Sequence, residues 1–530
     1  MRKVYLVTLI FWISFLGACG KGNNGSATPP PPPPPVKATV SPTSATVPIG
    51  KTQQFTSNVD ANWYVNDVQS GNSTVGTIDI SGLYTPPQLP PNPATVKVKN
   101  CSRTDATNCA IATVTIVAGP GSFTALKFWA PQNGTASGET ASTTATGILV
   151  AGADAVLQGA ADPQAAFITY GADGNKLGEW VNTWPSSLSA SFYDTVSGNV
   201  FAVGYAGTSS DPSGRSAMIL GLLPSDPTHV VLEKTFQFDR NGNVVGDGSG
   251  LRTEAVAISV MGGKLYLAVR SDYQLCGLAF NACSGDWVVT ADLAGNVLNM
   301  FAVGNIPAER FADRTEITGL LVLADHMWVT GNWFTLGGDG SWYVSGFYME
   351  KWTPNGQLSI NGATVFSGWF NARPVEELVN GNVIVSETFF SGSKTYFGIM
   401  GLASDIQNVT TSRTWDGDNA ATSFTNLNNG SFINNGTDIV VVGSLSGLIN
   451  NQVSNGGAIS WASDGNGASG GAVLWKQRFD SLPLGIVSSW NSGSKSDAGG
   501  IALVGTGTDG NNACGSANCG TAVIGRWLLP

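Results

Sequence analysis

The chain has 530 residues, 42% of them hydrophobic and 12% charged, and 26 Lys and Arg against 36 Asp and Glu give a net charge of −10. The apolar content is enough for a sizeable core and excludes global disorder. No basic run follows the first residues, so a nucleic-acid partner is not expected. The 67 glycines indicate a turn-rich, all-β chain.

The first 18 residues are predicted to be a signal peptide. A short basic start precedes an almost wholly apolar run from Val4 to Leu16, which is too short for the roughly 20 residues that span a bilayer. The run ends in Leu-Gly-Ala-Cys at Cys19, which resembles the lipobox of bacterial lipoproteins. That resemblance implies cleavage before Cys19 and acylation of this residue. Gly20 follows instead of Asp, which implies the outer membrane, on its cell-surface or periplasmic face.

Residues 19–36 are interpreted as the lipid anchor and a tether. A Gly-, Asn- and Ser-containing stretch leads to seven consecutive prolines at positions 29–35. Proline runs adopt an extended polyproline II helix of about 3.1 Å per residue, so this segment would form a stiff spacer of roughly 22 Å. A Pro-rich ligand for another domain is the alternative.

Residues 37–118 are predicted to form a small β-sandwich. Short segments alternate between apolar and polar residues, with Val47, Phe55, Trp63 and Val65 expected to point inward. The stretches VSPTSATVPIGKTQQFTSNV and WYVNDVQSGNSTVGTIDISGLYTPP resemble bacterial Ig-like domains of the intimin/invasin type. This resemblance implies a spacer or adhesion module and carries no catalytic residue.

Residues 119–530 contain a repeat of about 59 residues. Each copy has an apolar strand that ends in a small residue, and these strands end at Gly152, Gly204, Val269, Gly331, Ser386, Gly443 and Gly505. Further strands precede and follow each one, which gives four strands per unit and predicts a seven-bladed β-propeller. A β-solenoid is the alternative. The segment FTALKFW, residues 123–129, is expected to supply the outer strand of the last blade and so close the ring.

Six cysteines remain after Cys19, and they fall into close pairs. In an exported chain an even number of cysteines indicates disulfides, and proximity favours 101–109, 276–283 and 514–519. The six residues are Cys101, Cys109, Cys276, Cys283, Cys514 and Cys519. Zinc is the alternative, although no two pairs have Cys-x-x-Cys spacing.

No catalytic motif or cofactor site is evident. Asp239 and Asp416 begin segments that resemble pieces of calcium loops, but neither segment has the closing Glu of an EF-hand, so no metal ligand is assigned and calcium remains an open alternative. The most unusual stretch, residues 328–352, has eight aromatic residues. Trp333, Phe334 and Trp342 are placed in or beside a loop open to solvent and are the candidate ligand-binding residues, with packing between blades as the alternative.

The sequence therefore predicts a surface-displayed, lipid-anchored binding or adhesion protein that is not an enzyme. Its partners would be the membrane, through the lipid anchor, and an unidentified protein or glycan. A structural component of an envelope complex and an extracellular polysaccharide-acting enzyme on the propeller face are the alternatives. Acidic clusters on one rim of the propeller would favour the enzyme.

Replacing Cys19 with Ala is expected to abolish lipidation, because the thiol is the acylated group and several acyl chains are needed for stable anchoring. Cells supplied with labelled fatty acid should incorporate the label into the unmodified chain and not into the Cys19→Ala variant. Label in the variant would rule out this anchor.

Overall fold

The computed structural model describes residues 36–529, apart from residues 92, 240–242, 247–249, 272–284, 305–312, 338, 360–363, 368, 379, 392–393, 407, 416–430, 435–437, 444–447, 450–451, 454–456, 463–472, 479–486, 497–499 and 509–519. This part of the chain is all-β apart from one turn of 3-10 helix, Pro212–Gly214. Within it, no helix is long and apolar enough to span a membrane.

The N-terminal region folds as two facing sheets. Its strands are β1 (Val40–Ser41), β2 (Ser44–Pro48), β3 (Gln53–Gln54), β4 (Thr56–Ser57), β5 (Ala61–Val65), β6 (Val68–Gln69), β7 (Gly71–Asn72), β8 (Gly76–Ile78), β9 (Leu83–Thr85), β10 (Thr95–Ser102) and β11 (Cys109–Val117). One sheet has the order β2-β11-β10-β5-β6, the other has the order β3-β9-β8-β7, and β1 pairs with β4. The inward residues Val47, Phe55, Trp63 and Val65 all lie in one buried cluster, as the period-two pattern predicts.

The second region consists of four-stranded antiparallel units. Its strands are β12 (Phe123–Trp129), β13 (Thr135–Thr143), β14 (Leu149–Val156), β15 (Gln164–Tyr170), β16 (Lys176–Val181), β17 (Ser186–Tyr193), β18 (Val200–Ala206), β19 (Ser216–Leu223), β20 (Asp226–Phe238), β21 (Val244–Val245), β22 (Thr253–Met261), β23 (Lys264–Ser271), β24 (Gly285–Asp292), β25 (Val297–Val303), β26 (Asp313–Val322), β27 (Met327–Leu336), β28 (Trp342–Trp352), β29 (Thr364–Ser367), β30 (Trp369–Glu377), β31 (Val383–Ser391), β32 (Lys394–Leu402), β33 (Val409–Trp415), β34 (Ser431–Asn434), β35 (Asp438–Gly443), β36 (Leu448–Ile449), β37 (Gln452–Val453), β38 (Gly457–Ala462), β39 (Val473–Arg478), β40 (Val487–Ser496), β41 (Gly500–Thr508) and β42 (Gly520–Leu528).

These strands form successive sheets of the same design. In chain order the sheets are β13–β16, β17–β21, β22–β25, β26–β29, β30–β33, then β34-β35-β38-β39, and finally β12-β42-β41-β40. The last sheet takes its outer strand from the start of the region, because FTALKFW forms β12 and pairs antiparallel with β42. One edge strand of each sheet also contacts the corresponding edge strand of the next sheet, and β40 of the last sheet contacts β13 of the first. We call β13, β17, β22, β26, β30, β34 and β40 the inner strands.

The core lies between neighbouring sheets. One buried cluster combines Phe201 and Ile219 of the second sheet with Leu267 and Trp287 of the third. Each sheet therefore presents an apolar face to both of its neighbours, which explains why its middle strands are almost continuously apolar instead of alternating.

Several glycines that end the sequence repeats lie opposite a bulge or next to one. Gly204 pairs with Leu188 at a β-bulge in β17, and Gly152 and Gly331 pair with residues next to bulges in β13 and β26. A Cβ added to Gly204 would overlap the carbonyl oxygen of Ser187. The bulged inner strand therefore leaves no room for a side chain at this point of its neighbour.

Replacing Gly204 with Ala should destabilise the protein by about 1–3 kcal/mol, because the new methyl group overlaps fixed backbone. Gly520→Ala is the matched control, because a Cβ at this strand glycine has no atom nearer than 3.9 Å. Chemical denaturation of both variants measures the difference. Equal stability of the two variants would show that the bulge does not impose the small residue.

Candidate functional site: a polar cavity between the inner strands

Six inner strands carry a β-bulge at a similar level. A bulge leaves one residue unpaired and re-aims its side chain, and bulges are frequent beside active sites. The bulged residues are Glu139 (β13), Ser189 (β17), Val256 (β22), Thr318 (β26), Asn371 (β30) and Asn491 (β40). All six line one cavity of about 660 Å³, which we call the central cavity.

The lining of the central cavity is mostly polar. Its uncharged polar residues include Ser189, Ser191, Asn332, Asn371, Asn491 and Ser492, and its charged residues are Glu139, Arg270, Glu316 and Arg373. The asparagines are held in place by the sheets: Asn332 donates to Asn371 Oδ1 at 2.9 Å and accepts from the Asn371 backbone N–H at 2.6 Å. Hydroxyl and amide groups that are fixed in this way can both donate and accept hydrogen bonds.

Glu139, in β13 of the first sheet, contributes a carboxyl group to the central cavity. Its Oε1 accepts a hydrogen bond of 2.5 Å from Ser137, whose hydroxyl also lies 2.6 Å from that of Thr506 in the last sheet. Burial raises the pKa of Glu139, and the hydrogen bond from Ser137 acts in the opposite direction. A raised pKa favours the protonated form of a carboxyl group, which is the form that a general acid needs.

Asp154 lies behind Glu139 and joins the first sheet to the second. Its Oδ2 accepts from the Ser187 hydroxyl at 2.5 Å and its Oδ1 accepts from the Leu188 backbone N–H at 2.9 Å. Burial and, to a smaller degree, the negative charge of Glu139 raise the pKa of Asp154 to about 7. Two neighbouring carboxyl groups that resist joint ionisation titrate as a pair and share a proton over part of the pH range.

Arg270 and Glu316 form the charged wall of the third and fourth sheets. Arg270 donates to the backbone carbonyl of Ile317 from Nε at 3.0 Å and from Nη2 at 2.8 Å. Its Nη1 lies 3.7 Å from Glu316 Oε2. The guanidinium is thereby fixed in orientation, and the Glu316 carboxylate is held in the cavity by an opposite charge.

Arg373 of β30 is exposed to the water of the cavity. Among the described residues, nothing forms an ion pair or hydrogen bond with its guanidinium. Surrounding protein and, secondarily, the positive charge of Arg270 lower the pKa of Arg373. The side chain is therefore open to solvent, with a like charge nearby.

The aromatic residues chosen from the sequence lie elsewhere. Trp333 is only 4% exposed and sits inside β27, so the expectation that solvent reaches it is wrong. Phe334 follows it and is partly buried, and Trp342 starts β28 opposite Leu336. Successive strand residues face opposite sides, so when Asn332 points into the cavity, Trp333 points away. Ligand binding by the three aromatic residues stays a prediction.

The cysteine prediction is confirmed for one pair. Cys101 and Cys109 are opposite each other in the β10–β11 hairpin and form a disulfide. Cys19, Cys276, Cys283, Cys514 and Cys519 lie outside the described residues.

Two other groups that could take part in chemistry, His326 and Asp239, have structural partners. His326 contacts Asp325 at 2.8 Å and Glu377 at 2.5 Å, and Trp328 donates to the same Glu377 oxygen. Asp239 accepts from the Asn243 backbone N–H at 2.8 Å, as in a tight turn. In the described part of the chain, no three His, Cys, Asp or Glu side chains come close enough to share a metal ion.

Sequence reasoning missed all four charged residues of the cavity. One signal was present: Glu139 is the only charged residue in TASGETAST, a strand otherwise made of small residues. A second signal was a polar residue directly after the end of the repeated apolar strand: Arg270 follows Val269, and Asn332 follows Gly331.

No protein-family model matches this chain, and no curated protein matches it. Similar solved structures include the polysaccharide lyase Uly1, with 9% identity and a TM-score of 0.46 over 74% of this chain and 90% of that one. An α-L-arabinanase of Penicillium chrysogenum has 12% identity and a TM-score of 0.40, over 62% and 94%. A GH93 α-L-arabinofuranosidase of Fusarium graminearum has 13% identity and a TM-score of 0.38, over 60% and 91%.

The expectation that the chain is not an enzyme finds no support in these comparisons, since the lyase, the arabinanase and the arabinofuranosidase are enzymes. The adhesion hypothesis has no counterpart among them. At identities of 9–13% and TM-scores of 0.38–0.46, no fold family, substrate or catalytic residue is transferred to this chain.

Asp154 should make the protein less stable as the pH rises. Its pKa is raised from 3.8 to about 7 in the folded chain, so the folded state binds more protons than the unfolded state between these values. The free energy of unfolding should fall from about pH 4 to about pH 7, by at most about 4 kcal/mol at roughly 1.4 kcal/mol per tenfold change in proton affinity.

Asp154→Asn should flatten this decline. Asp292→Asn is the control, because hydrogen bonds, chiefly from Asn296, lower the pKa of Asp292, so its effect lies at more acidic pH. Urea unfolding of the three proteins at several pH values measures the slopes. An unchanged slope in Asp154→Asn would contradict the assignment.

Proposed function

We propose that this protein cleaves glycosidic bonds in a polysaccharide and that the central cavity is its active site. The observation that carries the proposal is Glu139, a carboxyl group with a raised pKa that lines a polar cavity. The proposal takes up the enzymatic alternative from the sequence in place of the adhesion hypothesis.

The lining suits a ligand rich in hydroxyl groups. Serine hydroxyls and asparagine amides, such as Ser189, Asn371 and Asn491, can pair with sugar hydroxyls in either direction. Most of the surface that the lining residues expose to the cavity is polar, which disfavours an apolar ligand. At about 660 Å³ the cavity has the size of a small-molecule site and would take a few sugar units of a longer chain.

Two carboxyl groups in the cavity have environments that suit different roles. Glu139 in its acid form donates a proton to the bridging oxygen as the bond to the anomeric carbon breaks. Water supplies the new hydroxyl, and Glu316, held beside Arg270, accepts the proton of that water. An acid and a carboxylate base on either side of the scissile bond are what glycoside hydrolysis requires. Asp154 acts through Glu139, since their like charges favour one shared proton.

The finer architecture is also part of the proposal. We interpret the second region, residues 119–530, as a closed seven-bladed β-propeller and residues 37–118 as a bacterial Ig-like domain. Ring closure is supported by the β12–β42 pairing and by Arg526, which donates to the carbonyls of Ala172, Gly147 and Gly171 in the first sheet. The Ig-like assignment is supported by the two sheets packed around Trp63.

The location follows from the sequence expectations. A lipid on Cys19 and the proline tether would hold the enzyme at the outer membrane, where a polymeric substrate can reach it. Residues 1–18 would be removed as the signal peptide.

Glu139→Gln should lower the rate of polysaccharide cleavage by at least about 100-fold, because the amide cannot donate the proton that the leaving oxygen needs. Release of reducing ends is measured on a panel of neutral, uronate-containing and sulfated polysaccharides. Glu233→Gln is the control, because Glu233 is exposed on β20, outside the cavity.

Both variants should keep the melting temperature of the original chain to within a few degrees. A Glu139→Gln protein that cleaves at the original rate would refute the role of Glu139. A folded wild-type chain that cleaves nothing in the panel would count against the proposed function.

A further inference from the structure

The backbone and stem of Arg373 are fixed before any ligand binds. Its backbone carbonyl accepts a hydrogen bond of 3.1 Å from Ser386 in the neighbouring strand. Its Cβ and Cγ lie over Gly319 of the fourth sheet, where an added Cβ would come within 3.3 Å of both atoms. Because Gly319 has no side chain, there is room for the Arg373 side chain to extend over the fourth sheet toward the cavity.

The guanidinium at the end of this path has no counter-ion in the part of the chain that the structure describes. Arg270 already has the Ile317 carbonyl and Glu316 as partners, whereas none of the described residues pairs with the Arg373 guanidinium. The nearby positive charge of Arg270 repels this unpaired cation. An incoming anion would relieve the repulsion.

The charges that line the cavity leave this side positive. There are two guanidinium groups, from Arg270 and Arg373, and two carboxyl groups, from Glu139 and Glu316. Glu139 belongs to the first sheet, where Ser137 donates to it, and Glu316 is already engaged with Arg270. Among the described residues, the side of the cavity formed by the third, fourth and fifth sheets therefore has two guanidinium groups and one carboxylate. The planar fork of N–H donors of Arg373 suits a bidentate oxyanion.

We infer that Arg373, supported by Arg270, binds an anionic substituent of the sugar chain, either a uronate carboxylate or a sulfate ester. This inference rests on the proposed function and specifies its substrate class as acidic polysaccharides. Arg373 is a specificity-determining residue here, and proton transfer stays with Glu139.

The test measures binding separately from cleavage. Titration calorimetry compares three trisaccharides of one sugar: trigalacturonate, a sulfated galactotriose and neutral galactotriose. The wild-type chain should bind at least one anionic trisaccharide 10-fold or more tightly than the neutral one, and added salt should weaken that preference. Preference for trigalacturonate identifies a carboxylate site, and preference for the sulfated sugar identifies a sulfate site.

Arg373→Gln should weaken anionic binding by about 10- to 100-fold, as expected for a charge-assisted hydrogen bond, and should leave binding of the neutral sugar unchanged. Arg373→Lys keeps the charge without the fork and should recover part of the affinity. Lys264→Gln is the control, because it removes one positive charge from an exposed site at the other end of the strand that holds Arg270. Equal melting temperatures exclude misfolding as the cause.

The two proposals can fail separately. Anionic binding that depends on Arg373, without cleavage of any polymer, would support the anion site and count against the proposed enzyme. Cleavage of neutral and acidic polymers at equal rates, unaffected by Arg373→Gln, would overturn the anion site and leave the enzyme standing. A wild-type chain that binds all three trisaccharides equally, or none of them, would also overturn the anion site.

Discussion

In six of the described sheets the inner strand has a β-bulge, that is, one residue more than the strand paired with it. The bulge displaces the backbone of the inner strand toward the paired strand. In the second sheet Gly204 accommodates this displacement, because any side chain there would overlap the Ser187 carbonyl. The same displacement directs Glu139, Asn371 and the other bulged residues into the central cavity. Gly204 and the polar lining are therefore two consequences of the same kind of backbone irregularity.

Short polar side chains connect the sheets along the cavity. The backbone N–H groups of Ala141 and Thr143 donate to the hydroxyls of Ser492 and Ser494, and Thr318 and Thr330 donate to the Ala372 carbonyl. Such neutral contacts satisfy the backbone that a bulge leaves unpaired. They explain how a chain with only 12% charged residues can surround a water-accessible cavity.

The few charged groups near the inner strands fall into two kinds. Asp286 is 2% exposed, accepts from the Tyr348 hydroxyl at 3.0 Å, and its pKa rises to about 6 chiefly through burial. Its partners are protein groups, so it serves packing between sheets. The pKa values of Glu139 and Arg373 are also shifted in the direction of the neutral form, but these two side chains open onto the water of the cavity. Titratable side chains that have shifted pKa values and that a ligand can reach are candidates for catalytic or binding roles.

Much of the local structure could be predicted from the sequence, because it depends on neighbours along the chain. Period-two alternation placed Phe55 and Trp63 in a core, proximity paired Cys101 with Cys109, and the repeat of about 59 residues marked four-stranded units. The site could not be predicted in this way. Trp333 was chosen because aromatic residues cluster around it, yet it is buried, while Glu139, Arg270, Glu316 and Arg373 are far apart in sequence.

These four residues come together only because four sheets place their bulged or neighbouring positions around one cavity. A bulge changes which side a residue faces without changing the residue type, so it leaves almost no trace in composition or periodicity. The sequence by itself determined the strands, their repetition and the local disulfide. The tertiary structure decided which side chains share the cavity, because that depends on the register between strands and on contacts between sheets.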